Sequence, residues 1–493
     1  MVRSVKYLQA GERIPGLSIL KASVCNRRGR ALDTIKQLFA TSQLPQNSVV
    51  TGFDFSTGSV KGIAFDLEGN QLAEVRLGTD LWTEGGVSEL NIALLEGQVH
   101  SALRGMAARL RQINRINDWN AIGISATHHT CGRIDKDLLP VRRAICWNDG
   151  TLAPYHAKGL ERLDGQAKVR ELIGGPWAVR YGLSHLVKDE ATLSEADWKR
   201  TWRILPHGTL VSGFMTGNFD KISISSAAST GIMDLRSCQW QPKMLDCLEN
   251  TEHRQMVLDQ LPTIVKGNEP IGPLASWICQ GMGIDPAKAP IVYPTSDDQQ
   301  AGLVGGGAMQ PGQVAIILGN SAVVNASADK PPATDELDCM RLSWGPYLWM
   351  RCYTNGAQFL DRVVGAKPNW AELEAKARLV PPGCNGYKVR PFVHAEPSIG
   401  VNKPDFGWEP SEPSDPGIRF RASLEALANL VALGVQAHER NGQAITQITV
   451  SGGISKSDLM VEILEKTLGR NVVRLPVAEG SALGAAVIAV KAR

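Results

Sequence analysis

Four short stretches carry side chains whose types and spacing could do chemistry together. The first is VVTGFDFSTGSVKGIAFD, residues 49–66. Asp54 stands inside an apolar run, and a small polar turn, Ser56-Thr57-Gly58-Ser59, follows it, then Lys61. A tight turn of small residues lets backbone N–H groups and hydroxyls come close to an anion. Thr57, Gly58 and Ser59 therefore read as a phosphate-binding turn, and Lys61 as a source of positive charge for it. An acid beside a phosphate repels it unless a cation lies between them. Asp54 accordingly reads as a holder of Mg2+, directly or through water. A surface hairpin whose Asp54 only caps the turn is the plain alternative.

The second stretch is PTSDDQQAGLVGGG, residues 294–307. Asp297, Asp298, Gln299 and Gln300 follow a strand-like IVYP and precede small residues. A carboxylate there is well placed to meet a hydroxyl in a cleft, although one of the two acids is expected only to cap a helix. The third is ISATHHTCGRIDKDLLPVRRAICWND, residues 124–149. His128 and His129 are expected at the end of one strand, and Trp147, Asn148 and Asp149 at the end of another. An aromatic face beside imidazole, amide and carboxylate groups suits a polyol. Adjacent histidines on a strand point to opposite faces, which argues against a shared metal ion. The fourth is TVSGGISKSDLMVEILEKTLG, residues 449–469. A strand ending at Gly452-Gly453, with a helix starting near Ser457, admits a flat ligand such as a nucleotide.

The elements that must position these groups alternate in type. Strand patterns cover 49–54, 59–66, 120–126, 314–318, 322–326, 444–450 and 471–475, and helix patterns 92–113, 422–439 and 458–468. Such alternation predicts an α/β architecture. QVAIILGNSAVVNAS, residues 313–327, repeats the strand, tight turn and strand of the first stretch. The repeat predicts two related domains with a ligand cleft between them. Their boundary is expected in the glycine-rich GLVGGGAMQPGQ, residues 302–313, and surface loops at 328–345 and 402–417. Asp54 and Asp298 are expected on opposite banks of the cleft.

A chain of 493 residues is too long for one ordinary core. The net charge of +3, from 52 basic against 49 acidic residues, gives no general nucleic-acid signature. Nine cysteines without a CxxC pair predict reduced thiols in a reducing, cytoplasmic setting. No run of eighteen apolar residues predicts a membrane span. The basic first 48 residues read as an N-terminal extension outside the main fold, with one amphipathic helix over 30–44; an organelle presequence is the alternative.

In this order the segments resemble the FGGY family of carbohydrate kinases, over residues 49 to about 490. GFDFSTGSVKG resembles its first phosphate motif. SATHHTCGRIDKDLLPVRRAICWND resembles the sugar-binding stretch of xylulokinase-like members. SDDQQAG resembles the segment bearing the catalytic aspartate, and LGNSA the second phosphate motif. SGGISKSDLM and EGSALGAA resemble the adenosine motif and the closing helix. The resemblance implies the actin/Hsp70-like fold, with two ribonuclease-H-like domains. Residues 49–305 would bind sugar and phosphate and 306–493 the adenine nucleotide. It implies ATP and Mg2+, Asp298 as general base with Gln299 beside it, and phosphate contacts from Gly319, Asn320 and Ser321. It implies a small sugar as substrate, foremost a ketopentose such as D-xylulose, no nucleic-acid or membrane partner, and a monomer or homodimer. Departures from the family pattern are Ser56 in place of Gly, Asn320 in place of Thr, Ile454 in place of a third Gly, and His128 where xylulokinase-like members have Met. Glycerol-kinase-like members carry an Arg-Glu pair at 128–129, which speaks against glycerol. Two rival classes are a nucleotide-gated binding protein or chaperone on the same fold, and a metal hydrolase using His129, Asp297 and Asp298.

Overall fold

The computed structural model describes residue 39 and residues 44–267, 269–365, 367–475 and 480–491. The helix expected over 30–44, and with it most of the extension 1–48, lies outside the described residues.

Val49, Val50, Phe53 and Phe55 give the first strand, Val49–Phe55, the β-branched and aromatic content that suits a pleated surface. It pairs antiparallel with Ser59–Phe65, which pairs antiparallel with Gln71–Gly78. On its other side Trp119–Ala126 runs parallel to it, and Ile291–Val292 and Ser296–Asp297 run parallel to that strand in turn. The second sheet repeats this order. Gln313–Leu318 pairs antiparallel with Ala322–Ala328, which pairs antiparallel with Tyr347–Tyr353; Gln447–Ser451 and then Val473–Arg474 continue in parallel on the other side. Each half places a long helix before its fourth strand, Ile92–Gln112 in one and Pro416–Arg440 in the other. The internal repeat read from two hairpins thus extends to whole sheets. A smaller five-stranded sheet is inserted in the first half and includes Val87–Leu90, Cys131–Ile134 and Pro140–Ile145.

The helices that end the two halves are exchanged. Asp298–Gly305 follows the first sheet but packs on the second, where Gly302 lies against Ile317 and Gly306 against Ala315. Gly480–Lys491 follows the second sheet but packs on the first, among Val50, Ile63, Phe65 and Ala121. The two helices touch through backbone. A Cβ on Gly305 would lie 1.8 Å from the Gly480 carbonyl oxygen, and one on Gly484 1.8 Å from that of Ala301. Gly52 and Gly123 of the first sheet meet the Ala482 and Ala485 carbonyls as closely. Burial of Leu483, Val487, Ile488 and Val490 stabilises this docking by about 1.5–3 kcal/mol each.

The glycines at 302–313, expected to mark the domain boundary, also serve close helix packing. The two stretches expected as surface loops are not all loop. Within 328–345, Asp338–Arg341 is an edge strand whose Cys339 and Met340 are buried, and within 402–417, Asp405–Glu409 is a strand paired with Lys388–Phe392. An apolar cluster running from Trp177 and Tyr181 to Leu337, Leu348 and Trp349 joins the halves on this side.

Candidate active site

The first turn, residues 56–58, closes on itself. The Ser56 N–H donates to the Ser59 carbonyl at 3.0 Å, and the Ser56 hydroxyl donates to that same carbonyl at 2.8 Å. The Ser59 N–H donates back to Ser56 Oγ at 3.1 Å. The serine that stands in place of glycine therefore takes up the Ser59 N–H, leaving the Ser59 hydroxyl as that residue's donor toward a ligand. Thr57 and Ser59 are half-buried and Gly58 is exposed. Asp54 is buried, yet it is not stranded in apolar surroundings. Ser125 Oγ donates to its Oδ1 at 2.8 Å, and the hairpin register sets Lys61 directly opposite it on the same face.

Asp298 does not face Asp54 across a cleft. Asp54, Ser125 and Ser296 lie in one row across three adjacent strands of the first sheet, so both acids belong to one bank. The reason is topological: parallel strands bring their carboxyl ends to the same edge, where ligands of α/β sheets bind. Asp298 opens the helix that crosses to the second sheet, and so stands on the seam between halves.

The adjacent acids at 297 and 298 have different surroundings. Asp297 is the helix N-cap; its Oδ1 accepts the Gln300 N–H at 2.8 Å and its Oδ2 the Ser225 hydroxyl at 2.5 Å. Asp298 Oδ1 is enclosed and has no hydrogen-bond partner. Burial, then the Asp297 and Asp54 carboxylates, push Asp298 up to about 8. Gln299 hydrogen-bonds the Asp298 carboxylate, while its own Oε1 accepts from Asn325 Nδ2 of the second sheet at 3.1 Å.

The histidines correct another expectation. The strand ends at Ala126, and His128 and His129 occupy a turn in which His129 has φ +58°. The left-handed residue folds the rings onto each other, with centroids 3.6 Å apart, and Tyr181 stacks on the far side of His129 at 4.3 Å. The two imidazoles therefore lie face to face instead of on opposite faces of a strand. His129 Nδ1–H donates to the Ser229 carbonyl at 2.9 Å; its Nε2 and that of His128 are buried without partners. Burial lowers both imidazoles below the usual range, so both are neutral at pH 7. Ligand atoms of His128, Asp297 and Asp298 lie within 4.8 Å of one another.

The 147–149 turn has a different character. Trp147 is 44% exposed. Asn148 Oδ1 accepts the Ser88 hydroxyl at 2.8 Å. The Asp149 carboxylate is engaged by Thr151 N–H and hydroxyl, by the Ser88 N–H and by Lys188. Burial raises Asp149, yet these donors hold it below the usual carboxylate range. The acid expected to take a sugar hydroxyl thus fastens its own turn to the strand Val87–Leu90. Among the described residues no hydrogen bond or ring contact joins this turn to the histidine pair.

On the second half, a cavity of about 650 Å³ brings Gly319, Asn320, Gly453, Ile454 and Ser457 together. Gly452 adjoins it with φ +92°, and a Cβ there would lie 2.3 Å from the Leu318 carbonyl oxygen. Only glycine fits that turn without strain. Ser321 completes the second hairpin turn, whose Gly319 carbonyl accepts the Ala357 N–H at 2.8 Å. The sequence reading missed the apolar wall of this cavity: Leu360, Trp370, Phe420 and Leu424. Trp370 and Phe420 have ring centroids 5.9 Å apart. The one sign of them in the sequence is a tryptophan placed just after Asn369, a helix-capping type.

Comparison with known proteins agrees with this geometry. Residues 49–305 match the N-terminal domain of the FGGY family of carbohydrate kinases, and residues 360–493 match its C-terminal domain. The chain is 24% identical over 374 residues to a xylulose kinase of Haemophilus influenzae, covering 74% of each chain. It is 25% identical over 473 residues to a gluconokinase of Bacillus subtilis, covering 90% of this chain and 87% of the relative. Its fold superimposes on the structure of a ligand-bound xylulose kinase from Lactobacillus acidophilus with a TM-score of 0.78 at 18% identity, over 90% of this chain and 89% of the other. With its two related sheets in the actin/Hsp70-like arrangement and both domain models matched, this chain belongs to the FGGY family of carbohydrate kinases.

Proposed function

We propose that the protein transfers the γ-phosphoryl group of ATP to the primary hydroxyl of a ketopentose such as D-xylulose. One observation carries the reading: the enclosed Asp298 Oδ1 has no partner and stands beside unpartnered imidazole nitrogen. An oxygen left this way in the apoprotein is costly unless a ligand completes it. Held at about 8, the Asp298 carboxyl also lies near the pH at which a base both takes and releases a proton readily.

The Asp54 carboxylate raises Asp298, and that like-charge repulsion is what a divalent cation at Asp54 relieves. Asp54 would hold Mg2+, which when bound neutralises triphosphate charge. The side chains do the rest. Thr57, the Ser59 hydroxyl and Lys61 take phosphate oxygens from one half, and the 319–321 turn takes them from the other. Gly452 and Gly453 admit the adenosine to the wall made by Trp370 and Phe420. Asp298 Oδ1 accepts the proton of the sugar hydroxyl as that oxygen bonds to phosphorus and the bond to ADP breaks. His129 Nε2, its tautomer fixed by Ser229, accepts a further hydroxyl.

A neutral acceptor is favoured over an acidic one such as gluconate. Arg180 is the cation whose charge reaches both imidazoles, and it is already paired with Asp338. The test is an ADP-release assay over pentuloses, aldonates, polyols and hexoses. The highest kcat/KM is expected for a ketopentose; a clear preference for gluconate or glycerol would overturn the assignment.

A further inference from the structure

We infer that His128, Asp297 and Asp298 form a binding site for a borderline divalent transition ion, of the Zn2+ or Co2+ class, separate from the Mg2+ function of Asp54. His128 Nε2 lies 3.6 Å from Asp297 Oδ2. Two ligands of one tetrahedral ion at bond lengths of 2.0–2.2 Å are about 3.4 Å apart, so this pair is already spaced as ligands. The third donor, Asp298 Oδ1, lies with them inside a 4.8 Å set. Both His128 Nε2 and Asp298 Oδ1 are enclosed and unpartnered, and the His128 side chain is 6% exposed.

Two of the three side chains are held by neighbours. The Ser225 hydroxyl and the Gln300 N–H fix Asp297, and His129 stacks flat on the His128 ring. One nitrogen with two carboxylate oxygens suits Zn2+ and Co2+ better than Mg2+, which prefers an all-oxygen shell with several waters. An ion seated here covers Asp298 Oδ1, so it inhibits any reaction that needs that oxygen. The site stands on its own donors, whether or not the acceptor is a ketopentose.

The experiment uses the full-length chain without an affinity tag, and without ATP or sugar. Co2+ is titrated by visible absorbance, with Zn2+ as competitor. One equivalent is expected to bind with a nitrogen–oxygen ligand-field spectrum, unaffected by about a hundredfold excess of Mg2+. Affinity is expected to fall by more than about tenfold in His128→Met and in His128→Gln, since a direct ligand is lost where even outer-shell changes cost about 10–100-fold. A thiolate charge-transfer band, or equal affinity in both variants, overturns the site. Should neither variant fold, crystals of the natural chain soaked in Zn2+ decide the matter at the zinc absorption edge. An anomalous peak among the three side chains supports the site, and a peak elsewhere or none overturns it.

Discussion

The two halves build the same hairpin and use it differently. Each closes two antiparallel strands through three residues, 56–58 in one and 319–321 in the other. The first turn is closed from within by a side chain, the Ser56 hydroxyl, and the Thr79 hydroxyl holds its Thr57 carbonyl from outside. The second is closed by backbone, Gly319 N–H to the Ser321 carbonyl, and held from outside by the N–H groups of Gly356 and Ala357. Asp54 is the penultimate residue of its strand; Ile317 holds that place in the second half. The first half thus gathers acids at its strand ends, while the second gathers glycines and aromatic walls around a cavity. One frame serves charge on one side and shape on the other, and a few strand-end residues make the difference.

Removing charge from the first half has the largest expected effect. Asp298→Ala lowers kcat by about 10²–10⁴, read by ADP release; near-normal turnover removes Asp298 as the base. Asp298→Asn has the same direction for kcat and the opposite one for stability. The folded carboxyl titrates at about 8, against an ordinary value of 3.8. The folded state therefore holds the proton more tightly, and natural-chain stability falls as pH rises between these values. The gain from Asn grows across that window, to on the order of 5 kcal/mol for a shift of this size, and levels off above it. Thermal unfolding without Mg2+ from pH 4 to 9 checks the slope, and a pH-independent difference breaks the account. Next in size is Asp54→Ala, which raises the Mg2+ concentration for half-maximal rate about 10–100-fold.

Removing shape from the second half costs less. Gly452→Ala strains a left-handed turn against Leu318 and destabilises by about 1–3 kcal/mol, with a raised KM for ATP. If KM for the sugar rises instead, the division between halves is wrong. Smallest is Ser56→Gly, which opens the self-closed turn and costs about 0.5–1.5 kcal/mol in chemical denaturation. A larger loss would mean that the hydroxyl holds more than its own turn.

Periodicity and turn chemistry made most strands, the long helices and the repeat legible. The helix patterns at 92–113 and 458–468 match Ile92–Gln112 and Asp458–Leu468. What could not be read was relation in space. GSALGAAVIAV reads as a helix packed against the Gly452-Gly453 segment beside it in the chain; it covers the first sheet instead, because small residues suit any close contact and do not choose a partner. His-His reads as a strand end because the left-handed backbone of His129 is set by its surroundings and has no glycine to announce it. Trp370 and Phe420 lie far apart in the chain, and a shared wall between distant aromatics leaves no local pattern. Residue types alone left Asp297 and Asp298 open and the resemblance pointed to Asp298; the physical difference between them, the Ser225 contact on Asp297, comes from a remote segment.

The exchange of terminal helices has a consequence for how the polypeptide is made. Gly52 and Gly123 take the carbonyls of Ala482 and Ala485, so one apolar face of the first sheet stays bare until the second sheet, which precedes that helix in the chain, has been made. Domains usually fold as they leave the ribosome, the earliest first. Here the first sheet cannot be closed before the second exists, so the two halves complete their packing together.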